Sequence, residues 1–274
     1  MRILFCCFSA TGNTATIGQA ISRRLGELGA EVDWRDITTP EGRKEPADMN
    51  SYDAAVFGTP IHSMRSPRVV REWLAGLDGQ GKKCATFFTY GGFQVHPTHS
   101  TTQKILREAK FSVVASAEFP GAHTFNLGGW QAMADRPDDR DLAVAAEYAQ
   151  AIYARFSGKD DGVVGELDPG PYSEEQLDQF EMFRYKAVSQ LPTRDGAECQ
   201  LCYLCQEQCP TGAMDAEAGQ VTEPSLCIAC LRCVKECPDQ ALKINDLSPF
   251  FAMKMKIDNE TDDTLRAKQS KMYL

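Results

Sequence analysis

Eight of the eleven cysteines in this 274-residue chain lie between Cys199 and Cys237, and their spacing limits what the chain can fold into more than any other feature does. The first four read Cys199-x-x-Cys202-x-x-Cys205-x-x-x-Cys209-Pro210, and the next four repeat the pattern as Cys227-x-x-Cys230-x-x-Cys233-x-x-x-Cys237-Pro238. Residues 1–10 have too short an apolar core for an export signal and no small-residue cleavage site. A reducing, cytoplasmic compartment and metal ligation are therefore expected, rather than disulfides. Zinc is bound by separated C-x-x-C pairs, which have no use for a third cysteine at the same interval and a fourth followed by proline. A [4Fe–4S] cubane uses them all. Three cysteines at intervals of three wrap one corner each, and the fourth, past a turn, points to the other cluster. The expected ligand sets are Cys199, Cys202, Cys205 and Cys237 for one cluster and Cys209, Cys227, Cys230 and Cys233 for the second. Each proline stops a short helix and helps to aim the thiolate before it.

Behind the two prolines, Thr211-Gly-Ala and Asp239-Gln-Ala-Leu repeat in register as well. Residues 196–245 closely resemble the two-cluster bacterial ferredoxins. That resemblance implies a small α+β unit and low-potential one-electron transfer. Cys6, Cys7 and Cys84 stand apart, inside apolar strand patterns where a free cysteine behaves as a small hydrophobe.

The N-terminal part alternates short apolar runs with helical patterns, as in a parallel sheet covered by helices on both faces. Strands are expected at 3–8, 32–37, 54–58, 84–89 and 112–117, and helices at 14–28, 67–77, 101–109 and 138–156. Residues 38–52 are charged and broken by proline, so any crossover helix there is short or irregular. Asp, Gly and Pro dominate 160–172, a composition that builds no core and reads as a linker. A helix capped by Ser173 follows over 173–190. The expected division is a first domain at 1–159, a linker and connecting helix at 160–190, the cysteine domain at 191–245 and a tail at 246–274. The last residues of that tail are expected to be mobile or docked on a partner.

Strand one leads into Ser9-Ala-Thr11-Gly12-Asn13-Thr14 at a helix start, where backbone N–H groups, hydroxyls and a glycine make an anion site. The loop lacks the Gly-Lys-Ser/Thr ending of a nucleotide-triphosphate loop and the G-x-G-x-x-G of a dinucleotide loop. A single terminal phosphate, as in FMN, fits it. Ser-x-Thr-Gly-Asn-Thr after the first strand resembles the flavodoxin fingerprint. The resemblance implies an α/β, doubly wound five-stranded parallel sheet of order 2-1-3-4-5, with the ligand at the switch between strands one and three. The ends of strands three and four would then border the flavin: Thr59, Pro60, Ile61, His62 and Ser63 on one side, and Thr89, Tyr90, Gly91, Gly92 and Phe93 on the other. Tyr90 and Phe93 would either stack on the ring or pack as ordinary core. His62 would act through titration near neutrality or simply face solvent. Arg65 would offset charge on a reduced flavin or face a partner. His123, past strand five, reads as a loop residue that at most borders the site.

A formal net charge of −9 argues against nucleic acid and anionic membranes, and no apolar run approaches the roughly 18–20 residues that span a bilayer. The combination resembles flavodoxin–ferredoxin fusions, the EFR-type ferredoxin family. Clusters exchange single electrons whereas FMN holds one or two. The resemblance thus implies an electron-transfer iron–sulfur flavoprotein of anaerobic metabolism that relays electrons between two [4Fe–4S] clusters, FMN and partner redox proteins or enzymes. The alternatives are a flavin-dependent oxidoreductase acting on a small substrate or NAD(P)H, with no catalytic acid–base pair evident, and a flavin-free scaffold. The Phe250-Phe251 tail could cover a cluster, close the domain interface or join a second copy in a homodimer.

Overall fold

Residues 1–184 and 190–274 are described by the computed structural model. Five parallel strands, β1 (Arg2–Cys7), β2 (Glu31–Asp36), β3 (Ala54–Pro60), β4 (Lys83–Tyr90) and β5 (Ser112–Pro120), pair in the order β2-β1-β3-β4-β5. That is the flavodoxin-like doubly wound order expected. The central strands are buried along nearly their whole length, which is why they read as continuous apolar runs rather than alternating ones. Glycine has one obligatory place among them: a Cβ on Gly58 would lie 2.0 Å from the Phe87 ring.

Helices α1 (Asn13–Glu27), α2 (Pro40–Arg43), α3 (Arg68–Ala75), α4 (Thr98–Glu108) and α5 (Asp139–Phe156) cover the sheet. One face packs Phe8, Phe57 and Phe111 against Val70 and Leu74 of α3 and Leu106 of α4. The other packs Phe5, Phe87 and Phe119 against Ile17, Ile21 and Leu25 of α1 and Tyr148 and Ile152 of α5. Each such side chain contributes about 1.5–3 kcal/mol through burial. The crossover after β2 is broken as expected, into the single turn of α2 and a 3-10 turn at Met49–Ser51. Asp138 caps α5 in a capping box with Asp141, whose carboxylate is also paired to Arg136.

The 160–172 segment does contribute to a core: Val164 is buried with the α3/α4 cluster, and Gln103 Nε2 donates to the Gly165 carbonyl at 2.9 Å. Composition missed this because one well-placed valine is enough to pin an otherwise polar strap. The helix α6 (Glu174–Phe183) follows, capped by Ser173; the end of the expected helix, 185–189, lies outside the described residues.

In the cysteine region, α7 (Leu204–Glu207), a hairpin of β6 (Met214–Asp215) and β7 (Gln220–Val221), and α8 (Arg232–Lys235) form the second unit. The internal repeat extends to the backbone. Leu201 and Tyr203 of the first motif and Ala229 and Leu231 of the second all take positive φ, between 47° and 60°. After it come α9 (Ser248–Ile257), α10 (Asp262–Arg266) and β8 (Lys271–Tyr273). The chain end is not left loose or offered to a partner, as the tail's polarity led us to expect. It adds an antiparallel sixth strand to the edge of β5, pairing Ser116 with Tyr273 and Glu118 with Lys271. Tyr273 OH donates to Glu118 Oε2 at 3.0 Å and Ser270 Oγ to Asp141 at 2.6 Å, so the exposed edge of β5 is covered.

The cysteine unit packs on the first domain. Ile228, Ala229 and Cys230 share a core with Phe8 and Ala10, while Leu231 joins Phe125, Trp130, Leu247 and Leu265. Among the described residues no helix is long and apolar enough to cross a membrane.

Candidate cofactor sites

Gly12, with φ of +101°, turns the chain from β1 into α1. Among the described residues the amides of Thr11, Gly12, Asn13 and Thr14 donate to no acceptor. They are the orphan donors of a fifteen-residue helix, which suits an anion. Two of the expected hydroxyls are engaged in shaping the loop. Ser9 Oγ accepts from Ala15 N at 3.0 Å, and Thr14 Oγ1 lies 2.7 Å from Thr89 Oγ1, tying the helix start to the end of β4. Asn13 Nδ2 donates to the Ala122 carbonyl at 2.8 Å, tying it also to the end of β5. Residues 9–14 hold no basic side chain of their own, yet the second unit supplies two: Lys235 Nζ donates to Thr11 O at 2.6 Å and Arg232 Nη1 to Ser9 O at 3.3 Å. Only the folded chain brings α8 to this loop.

From the loop a narrow groove of about 40 Å³ runs across the sheet's carboxyl edge, lined by Thr11, Asn13 and Thr14, then Pro60 to His62, Thr89 to Gly91, and Gly121 to Thr124. It opens into a cavity of about 420 Å³ that shares Ile61, Tyr90, Gly91, His123 and Arg184 with it and is also lined by Ser63 and Phe93. Of the expected residues, Ser9, Gly12, Thr59 and Gly92 do not line either space. Thr59 is buried, with its hydroxyl 2.9 Å from Ser66 Oγ. Gly91 must be glycine, since a Cβ there would meet the His123 ring at 2.2 Å. Phe93 packs edge-on against Trp130 and Phe251, and burial raises the Tyr90 phenol.

His62 and Arg65 close a four-residue turn whose central residues, Ser63 and Met64, have φ of 50° and 67°, a conformation that strains non-glycine residues. His62 neither faces solvent nor titrates near neutrality. Burial, helped by the positive charge of Arg184, holds it well below its ordinary value, and its Nδ1 has no partner among the described residues. A buried, neutral, unpartnered imidazole on the groove fits a heteroaromatic ligand that supplies the missing hydrogen bond. Arg65 is turned away from the groove. Its guanidinium, 3% exposed, binds Glu174, Asp178 and Glu181 of α6 at 3.0, 2.6 and 2.9 Å.

The cation beside the groove is instead Arg184, at the end of α6. It lines both spaces, lies 4.5 Å over the Phe125 ring and donates through Nη2 to Ala229 O at 3.3 Å. His123 likewise borders both spaces, more than a bare loop residue would. It stacks on Trp130 at 4.4 Å and accepts from Phe125 N through Nδ1 at 3.0 Å, which leaves the proton on Nε2. Desolvation, Arg184 and Lys254 push its pKa down to about 3. No sequence signal marked Arg184; for His123 the signal was its place just past the fifth strand.

The eight cysteines of the repeat form no disulfide, and the neighbours of Cys205 and Cys233 are the ones the crossed assignment names. Cys205 is raised by burial and feels Cys237, Cys199 and Cys202; Cys233 is raised by burial and feels Cys230, Cys227 and Cys209. A small hollow lies among Cys199, Cys202, Cys205 and Cys237. Backbone amides of Leu201, Ala229 and Ala241 donate to the sulfurs of Cys199, Cys227 and Cys237 at 3.4, 3.4 and 3.3 Å, and the positive φ values at 201 and 229 aim the first two. Among the described residues no three His, Cys, Asp or Glu side chains could hold a single metal ion. The cysteines differ in exposure: Cys202 is at the surface, while Cys227 and Cys230 are buried, Cys230 in the core shared with Phe8 and Ala10. Burial lifts the Cys230 thiol to about 12, so a thiolate there needs a positive centre beside it.

The family model of a 4Fe-4S dicluster domain matches residues 191–238. No curated protein matches the chain. Among solved structures, the chain is similar to the flavodoxin of Streptococcus pneumonia TIGR4 (18% identity, TM-score 0.42, over 57% of this chain and 99% of that one). It is similar also to Flavodoxin 2 from Bacillus cereus (20%, 0.45, 58% and 100%) and to the Flv1 flavodiiron core from Synechocystis sp. PCC6803 (19%, 0.45, 58% and 37%). The chain thus joins a sheet of flavodoxin-like strand order to a segment that matches a 4Fe-4S dicluster domain.

Proposed function

We propose that the chain is a cytoplasmic electron relay of the flavodoxin–ferredoxin fusion kind, carrying FMN in the groove and two [4Fe–4S] clusters in the crossed cysteine sets. Ser9, Thr11, Gly12, Asn13 and Thr14 would hold the phosphate, and the ends of β3 and β4 with His62 and Tyr90 would hold the ring. When bound, the flavin supplies storage for one or two electrons and the clusters supply one-electron steps. The observation that carries the reading is the placement of the second cysteine set against the groove. Lys235, two residues past Cys233, reaches the phosphate loop, and Arg184 touches Ala229, between Cys227 and Cys230, while lining the groove. The first set, with Cys202 exposed, is left to meet a partner redox protein. Electrons would thus pass between partner, outer cluster, inner cluster and flavin in that order or its reverse. Iron, acid-labile sulfide and released flavin per chain, measured on anaerobically purified protein, test the parts list: two cubanes and one FMN are expected. Iron without flavin would return residues 9–14 to a helix cap and end the relay reading.

A further inference from the structure

The cavity beyond the groove has two differently built halves. The near half is walled by the loops after β3 and β4, through Ile61, Met64, Tyr90 and Gly91. The far half is walled by elements outside those loops: Phe125 and Trp130 from the turn after β5, Phe180 and Phe183 from α6, and Met253 and Ile257 from α9. At about 420 Å³ the whole space is within the range of small-molecule sites. Aromatic side chains dominate the far walls, and their faces favour flat ligands.

The charged side chains that line the cavity among the described residues are cations. Arg184 and Lys254 line it, and among the described residues no Asp or Glu does, in a chain whose net charge is −9. Both cations are held in place: Lys254 by its pairing with Asp258 and its position 5.2 Å over the Phe93 ring, Arg184 by Ala229 O and the Phe125 ring. A polar donor is left over as well. Trp130 is 7% exposed, yet its Nε1 has no partner among the described residues, and a buried N–H of this kind is costly unless something accepts from it.

Resting on the flavin reading above, we propose that the far half of the cavity is a binding site for a flat aromatic carboxylate. The ring would lie between the side chains of α6 and α9, with its carboxylate toward Arg184 and Lys254. The chain would then bind a small molecule beside the flavin seat as well as exchange electrons with proteins.

Equilibrium dialysis of the anaerobically purified full chain against cinnamate tests this, with flavin released into the dialysate measured in the same experiment. One saturable site per chain with flavin retained is expected. The neutral analogue cinnamamide, and cinnamate with the surface variant Lys254→Gln, should bind about tenfold more weakly, a loss of about 1.4 kcal/mol, whereas Lys254→Arg should bind cinnamate normally. Phe180→Asp, on the exposed rim, should abolish binding without loss of iron. The proposal is overturned by absent or unsaturable binding, by equal binding of the amide, or by one-for-one displacement of flavin, which would make the whole cavity the flavin's own seat. If the protein carries no flavin, the relay reading fails by itself, and cinnamate binding still decides the cavity.

Discussion

Replacing Arg65 by alanine removes the centre of the contact that fastens α6 to the turn after β3. The guanidinium is 3% exposed and shares three carboxylates, but these differ in worth. Glu174 and Asp178 are 65% and 66% exposed, so each contributes at most about 0.5–1 kcal/mol. Glu181 is 9% exposed, and breaking a buried pair by removing one partner costs about 3–5 kcal/mol when the other charge is stranded. Here it is not stranded, because Arg71 Nη2 also binds Glu181 Oε2 at 2.9 Å. The expected cost is therefore below that range, about 2–3 kcal/mol. Urea unfolding of the wild type, Arg65→Ala, Glu181→Gln and the double variant would measure it, with a coupling energy of about 1–2 kcal/mol between the two sites. Hydrogen exchange should quicken in α6 before it does in β3 or β4. A cost under about 0.5 kcal/mol, or exchange that quickens uniformly, would refute the view that this cluster is what seats α6.

Four further outcomes follow from the same geometry. Cys202→Ala should lower iron content while sparing flavin, and should slow flavin reduction through the clusters; an unchanged rate in stopped-flow absorbance would count against the order of carriers. Arg184→Gln should lower the flavin's reduction potential by about 1 kcal/mol, roughly 40 mV for one electron, as read by spectroelectrochemistry. His123 has a folded pKa near 3 against about 6.5 unfolded. Below pH 6.5 the unfolded chain therefore binds a proton that the folded chain refuses, and stability is lost as pH falls from 6.5 towards 3. Between pH 7 and pH 5.5 the loss from this residue is about 1 kcal/mol, and His123→Gln should remove it from the urea midpoints. Deleting residues 271–274 should cost about 1–2 kcal/mol and expose the amides of 116–118 to exchange.

The two motifs proposed to hold cofactors were legible because they depend on local spacing. A thiol repeat and a hydroxyl-rich turn between a strand and a helix fix their geometry within a few residues. The strands and helices were legible from continuous apolar runs separated by helical periods, whereas their order came only from the resemblance of residues 9–14 to the flavodoxin fingerprint. What stayed hidden depends on contacts far apart in the chain. Arg184 and Lys235 gain their positions by packing α6 and α8 against loops more than a hundred residues away. His62 looked titratable from its place in a turn, but desolvation by distant elements removes that property. Arg65 looked available to a ligand because its three acidic partners, one helical turn apart on α6, carried no mark of where that helix docks. The tail looked loose because three residues of strand are too few to show a period.

The return of the chain end to the edge of β5 changes how the two units are joined. The cysteine unit is not hung from the end of the first domain. It is inserted into it, with α5 and the 160–172 strap leading out and α9, α10 and the final strand leading back in. It is tied to the first domain on both sides, by the strap that Gln103 holds and by the pairing of the final strand with β5, where a domain on a single linker has one tie. A stop codon only a few residues early would leave all eight cysteines of the repeat intact and still release one of the two anchors.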